Sequence, residues 1–239
     1  MDETAGFDVR SFVQRLALTL IPMILSLSVH EFAHAFSATR YGDSTAKDQG
    51  RLTLNPVAHV DPVGTLLLPF LVILSGSGIA YIAWAKPVPF RPDRMRDGVN
   101  RRWASAVVSA AGPLSNLVLA LLSVGILSAL VHAGVVPMPT SFDPTANMRP
   151  GSSGVTVLLL AMFTLNVSLA FFNLLPIPPL DGHRLLPPVF DVFVRPLQKY
   201  GFAILLGVFV LFPAAANAMF YRPLGATLRF LLHSFGLGH

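Results

Sequence analysis

Residues His30-Glu31-Phe32-Ala33-His34 read HExxH, and they fall inside an apolar run from about Phe12 to Phe36. On a helix, positions i and i+4 share a face, so both imidazoles can point at one metal ion. Glu31, next to the first His, sits where it can take a proton from a bound water. An ionisable trio inside an apolar helix is costly unless it is paired or metal-bound, and it marks a functional site by default. A polar cluster satisfied inside a helix bundle is the bland alternative. Glu31 argues against it, because Glu3 is the only other glutamate in the chain.

Composition agrees with a membrane setting for this motif. The 239 residues are 53% hydrophobic and 12% charged, against about 25% charged in a soluble domain. The expected fold class is therefore an all-α polytopic membrane protein. Nearly all of the length is needed for membrane segments. A single domain over 1–239 follows, with a catalytic core over about 9–183 and C-terminal helices over about 184–239. Cysteine is absent, which excludes disulfides and thiolate metal ligands. The net charge of +5 carries no nucleic-acid meaning, because the basic residues fall in loops between apolar runs and look like topology signals. The first apolar run carries the motif, so it is expected to be retained rather than cleaved.

Four spanning helices are expected, over about 9–39, 103–132, 155–175 and 200–220. Residues 63–74 are apolar but too short to span, and Ser75-Gly76-Ser77-Gly78 breaks them. Residues 79–90 read as extended, with Pro87 and Pro89 preventing helix. Residues 50–55 alternate like a short strand. Together these predict a re-entrant helix/strand hairpin with a small β element near the cytoplasmic side. Charge supports re-entry: Arg40, Lys47 and Arg51 precede the hairpin, and Lys86, Arg91, Arg94, Arg96, Arg101 and Arg102 follow it. The positive-inside rule puts both groups on the cytoplasmic side. Leu185 to Pro196 reads as a short interfacial element, and Leu224 to Phe235 as a short amphipathic helix.

A catalytic zinc usually has three protein ligands and one water. No Glu follows Glu31, and Ser37 and Arg40 occupy the positions where a metzincin needs Gly and His. The third ligand must be an Asp or another His. Asp43, Asp48, His59, Asp61, Asp181, His183 and Asp191 are the candidates. Asp43 and Asp48 suit a solvated loop, and Asp61 before Pro62 suits a helix N-cap. Asp181 follows an apolar span at a proline-forced unwinding, where a carboxylate can face the bundle interior. Spacing alone leaves Asp181 open against a plain Asp-Gly turn.

Taken in order, these motifs resemble the site-2 protease family of intramembrane zinc metalloproteases, in its compact prokaryotic group without PDZ or CBS domains. The resemblance covers about Phe12 to Gly182. It rests on the HExxH, Asn55-Pro56-Val57-Ala58-His59-Val60-Asp61-Pro62, Trp84-Ala85-Lys86-Pro87-Val88-Pro89, Ala111-Gly112-Pro113-Leu114-Ser115-Asn116, and Asn173 through Gly182. It implies one Zn²⁺ per chain held by His30, His34 and Asp181, with Glu31 as catalytic base. It also implies that Asn116 and Asn173 hold substrate backbone or steady the tetrahedral intermediate, with His59 as a possible accessory. The implied activity is hydrolysis of a peptide bond of a transmembrane protein substrate within the lipid bilayer, as in regulated intramembrane proteolysis. The implied location is the cell membrane, with the site open toward the cytoplasm. The alternative is a catalytically silent metal-binding or transport protein. Transport would need ionisable groups in several spans, and the segments around 103–132 and 200–220 offer few.

Overall fold

The structure is a computed structural model that describes residues 8–74, 84–141, 143–144, 147 and 153–237. Its helices are α1 Val9–Arg40, α2 Thr45–Asp48, α3 Leu68–Leu74, α4 Arg101–His132, α5 Gly154–Asn173, α6 Asp191–Gln198, α7 Gly201–Leu211, α8 Pro213–Ala216 and α9 Arg222–Ser234. Among the described residues, α1, α4 and α5 are the helices long and apolar enough to cross a membrane. At 1.5 Å per residue α1 and α4 are each about 48 Å long, which exceeds the ~30 Å hydrocarbon core.

Local signals set the ends of these helices. The Asp8 carboxylate caps α1 by accepting from the Arg10 N–H. Gly42, at φ 100°, takes the left-handed conformation that stops α1. The Asn100 side chain caps α4 by accepting from the Trp103 N–H. Ser26 of α1 meets Asn166 of α5, and Asn116 of α4 reaches Asn166 and the Ser26 carbonyl. Lower down, His34 of α1 meets the Val108 carbonyl of α4. Hence α4 runs antiparallel to α1; α5 meets Ser26 at Asn166 and leads on to Asp181 beside His34, so it runs parallel to α1.

The chain between α1 and α4 leaves one end of the bundle and returns to it. A π-helical turn Pro62–Leu67 leads into α3, capped by Asp61, which accepts from Val63 and Gly64 N–H. Residues 62–74 reach only about 20 Å, short of the hydrocarbon core. By Trp84 the chain is back beside their start. The Thr65 hydroxyl donates to the Trp84 carbonyl at 2.7 Å, and the Lys86 N–H donates to the His59 carbonyl at 2.9 Å. Asp43 then closes the excursion by accepting from the Arg91 N–H at 2.5 Å, as well as from the Thr45 N–H and hydroxyl.

Four expectations need correction. Among the described residues there is no strand. Residues 51–55 are irregular, because the Thr53 carbonyl pairs with the His59 ring and Arg51 with the Ala58 carbonyl, leaving no ladder partner. Of the extended reading over 79–90, residues 79–83 lie outside the described residues, and 84–90 are irregular. The span expected over 200–220 is not one continuous helix. Pro213 lacks an N–H and forces Phe212 out of the helical region, to φ −129° and ψ 60°. The Phe209 and Phe220 rings stack at 5.1 Å, whereas eleven residues along one straight helix would separate them by about 16 Å. Asp43, expected in a solvated loop, is wholly buried.

The refolded C-terminal part packs against the bundle. Leu224, Leu228 and Leu232 repeat every four residues and bury one face of α9 against Val124 and Leu127 of α4 and Leu160 of α5. This encloses α5 more than its neighbours and leaves α1 and α4 to frame the polar end.

Asp43→Ala would orphan three donors, at ~1–3 kcal/mol for each buried one. The expected outcome is a thermal midpoint in detergent lowered by several degrees, while Asp48→Ala, at an exposed position, leaves it unchanged. Equal midpoints for both variants would show that Asp43 does not close the excursion.

Candidate metal centre

The helical period of α1 puts His30 and His34 one above the other, facing α4. Both are buried, as is Glu31 between them. The Pro176-Ile177-Pro178-Pro179 segment ends α5's run and leads into the 3-10 turn Asp181–Leu185, which carries Asp181 back against the histidines. The three donor atoms form a tight triangle. His30 Nε2 lies 3.0 Å from His34 Nε2, and each is 3.2 Å from Asp181 Oδ2. Tetrahedral zinc with ligands at 2.0–2.1 Å requires donors about 3.3 Å apart. The set therefore fits the ion in both chemistry and spacing.

Proton positions strengthen the fit. His34 Nδ1 is 2.7 Å from the Val108 carbonyl, which can only accept, so Nδ1 carries the proton. His30 Nδ1 lies 2.6 Å from Asn116 Oδ1, also an acceptor. In the neutral rings both Nε2 atoms are then bare lone pairs facing each other and a carboxylate. Such a triangle is repulsive without a cation at its centre. Asp181 supplies the carboxylate that such a cation needs as its third donor.

A glycine makes the room. A Cβ on Gly112 would stand 2.4 Å from His34 Nε2 and 2.7 Å from His30 Nε2. The backbone of α4 can approach the two rings only because position 112 has no side chain.

Glu31 Oε2 accepts from the Val88 N–H at 2.8 Å. The segment 84–91 therefore lies across the base as a strap. Its far side is tied by the Arg184 guanidinium, 4.4 Å above the Phe90 ring, from the same turn that carries Asp181. Asp181 itself keeps about a quarter of its side chain exposed, so the triangle is reachable from that side.

The remaining sequence-derived candidates fall elsewhere. Asn116 is wholly buried behind His30, with its amide engaged by His30, Asn166 and the Ser26 carbonyl. Asn173 is half-buried and donates to the Leu169 carbonyl of its own helix. His59 is buried, with Nε2 at the Thr53 carbonyl, and acts within the loop rather than in the triangle. Asp61 caps its helix, and His183 Nδ1 meets the Leu180 carbonyl. Sequence reasoning passed over Ser26, Asn166 and Gly112. The signal for Asn166 was available, since an amide inside an apolar span is costly unless partnered.

The family profile described as Peptidase family M50 matches residues 18–215. The chain is 40% identical over 201 residues to "Putative zinc metalloprotease YwhC" of Bacillus subtilis, covering 80% of this chain and 79% of that protein. It is 33% identical over 220 residues to "Putative zinc metalloprotease Rip2" of Mycolicibacterium smegmatis, covering 89% and 73%. No solved structure matches.

Gly112→Ala tests the geometry of the triangle. Ala is favoured over Gly in a helix by about 1 kcal/mol, which offsets part of the ~1–3 kcal/mol that overpacking costs, so the thermal midpoint should change little or fall slightly. Zinc content measured on the purified protein should nevertheless fall, as the methyl displaces both rings. Full zinc occupancy in this variant would refute the close approach of α4.

Proposed function

The chain belongs to peptidase family M50 and is a membrane metalloprotease, and from that premise we propose that it cuts a transmembrane protein substrate within the bilayer. The observation that carries this reading is the His30–His34–Asp181 triangle, enclosed between helices long enough to cross a membrane, with Glu31 beside it. His30, His34 and Asp181 would hold one Zn²⁺ per chain, and Glu31 would act as the base. Zinc held there supplies a Lewis acid for a carbonyl and brings the pKa of a coordinated water to about 7.

The protein's own groups account for the proton traffic. Val88 holds one carboxylate oxygen of Glu31, which fixes the side chain and leaves the other oxygen to take a proton from the attacking water. Glu31 then returns that proton to the leaving amine nitrogen. Asn173, near the end of α5, is the remaining amide available to hold the substrate backbone.

A helical substrate hides its carbonyls, so it must unwind to reach Glu31. The strap constrains how an unwound peptide could lie there. Pro87 and Pro89 have no N–H, and the Val88 N–H is already engaged. At these positions the strap can accept hydrogen bonds from a substrate through its carbonyls but offers no free donor. The basic residues Arg40, Arg91, Arg96, Arg101 and Arg102 gather at the end of the bundle nearest the triangle. Under the positive-inside rule that end faces the cytoplasm of a cell membrane, and water reaches the site from there.

The test is cleavage of a panel of single-span membrane proteins by the full chain in liposomes. Glu31→Gln should keep its zinc and lose about 10²–10⁴-fold in rate. Asp181→Ala should lose zinc and activity together. Undiminished cleavage by Glu31→Gln would sink the proposal.

A further inference from the structure

Behind His30 lies a chain of amides that no catalytic step uses. We propose that Asn166, in the middle of α5, is a positioning residue for metal ligation: acting through Asn116, it fixes His30 in the tautomer whose Nε2 is bare. The inference rests on the zinc reading above and deepens it.

The logic starts from a group that cannot change its role. The Met162 carbonyl only accepts, and it lies 2.8 Å from Asn166 Nδ2. That contact sets which end of the Asn166 amide is which. Nδ2 also donates to the Ser26 hydroxyl at 2.8 Å. Asn166 Oδ1 must then face α4, where it accepts from Asn116 Nδ2 at 2.8 Å. With its nitrogen turned toward Asn166 and the Ser26 carbonyl, Asn116 presents Oδ1 to His30 Nδ1 at 2.6 Å. His30 Nδ1 carries the proton as a result, and Nε2 is left as a lone pair in the triangle.

Shape alone could not do this. The two ends of a carboxamide are nearly the same size, so packing around Asn116 does not tell oxygen from nitrogen. Flipped, Asn116 would offer a donor to His30 Nδ1 and push the ring proton onto Nε2, where it blocks the ligand position. Asn116 and Asn166 are both wholly buried, so water cannot take over the task. His34 needs no relay, because its Nδ1 partner is a backbone carbonyl that cannot flip. Outer partners that fix a ligand imidazole typically contribute 10–100-fold to metal affinity.

The experiment measures zinc affinity of the purified full chain by competition with a chromophoric chelator, which requires no substrate. Asn166→Leu should bind zinc about 10–100-fold more weakly than the parent. Asn116→Asp in the same background should restore it to the affinity of Asn116→Asp alone, because a carboxylate accepts at either oxygen and has no orientation to fix. Should Asn166→Leu fail to accumulate folded, Asn166→Val, which likewise carries no acceptor, takes its place with the same expected order. Parental affinity in the Asn166 variant overturns the proposal. So does a loss that Asn116→Asp leaves unrepaired, since that marks Asn166 as packing only. A parent that binds no zinc would instead remove the metal reading itself.

Discussion

Two imidazoles and a carboxylate sit together in the interior of an apolar bundle, and the rest of the structure answers to that constraint. Each ring needs its outer nitrogen satisfied so that the inner one can point at the triangle. One ring takes the Val108 carbonyl, and the other takes Asn116. Both partners lie on α4, so α4 must run beside the motif at close range. Gly112 permits that approach. The carboxylate must come from a separate element, since an α-helix offers only i and i+4 for one site. The proline-broken end of α5 supplies it as Asp181.

The same reasoning explains why residues 84–91 lie at the end of the bundle from which residues 62–74 set out. Val88 has to reach Glu31, and Arg91 has to reach Asp43, both on or next to α1. A crossing would put the strap at the wrong end of the bundle. Asp43 and Asp61 act on this segment rather than in the triangle, one as the clasp of its two ends and the other as a helix cap. Both carboxylates were open candidates for the triangle on composition alone. Their backbone N–H partners exclude them, because each is already satisfied where it stands.

The spans over 9–40, 101–132 and 154–173 were legible because hydropathy and length are local properties. The HExxH was legible for the same reason: its two histidines face one side by helical period. The Asp61 cap and the amphipathic α9 could also be read from a few neighbouring residues. The strand over 50–55 was misread because alternation shows which residues could share a face, and says nothing of whether a partner strand exists. Residues 200–220 were misread because their hydropathy is continuous across Pro213, while the backbone is not.

What the sequence determined by itself was the chemistry available: a helix-borne pair of imidazoles, a lone internal glutamate and a membrane to hold them. The tertiary structure decided which carboxylate meets the two histidines and which amides stand behind them. His34 and Asp181 are 147 positions apart, and Asn116 and Asn166 are 50 apart. No periodicity links residues at such distances. Only the packing of α1, α4 and α5 determines which faces meet, and the direction of each hydrogen bond between them follows from a backbone carbonyl whose role cannot change.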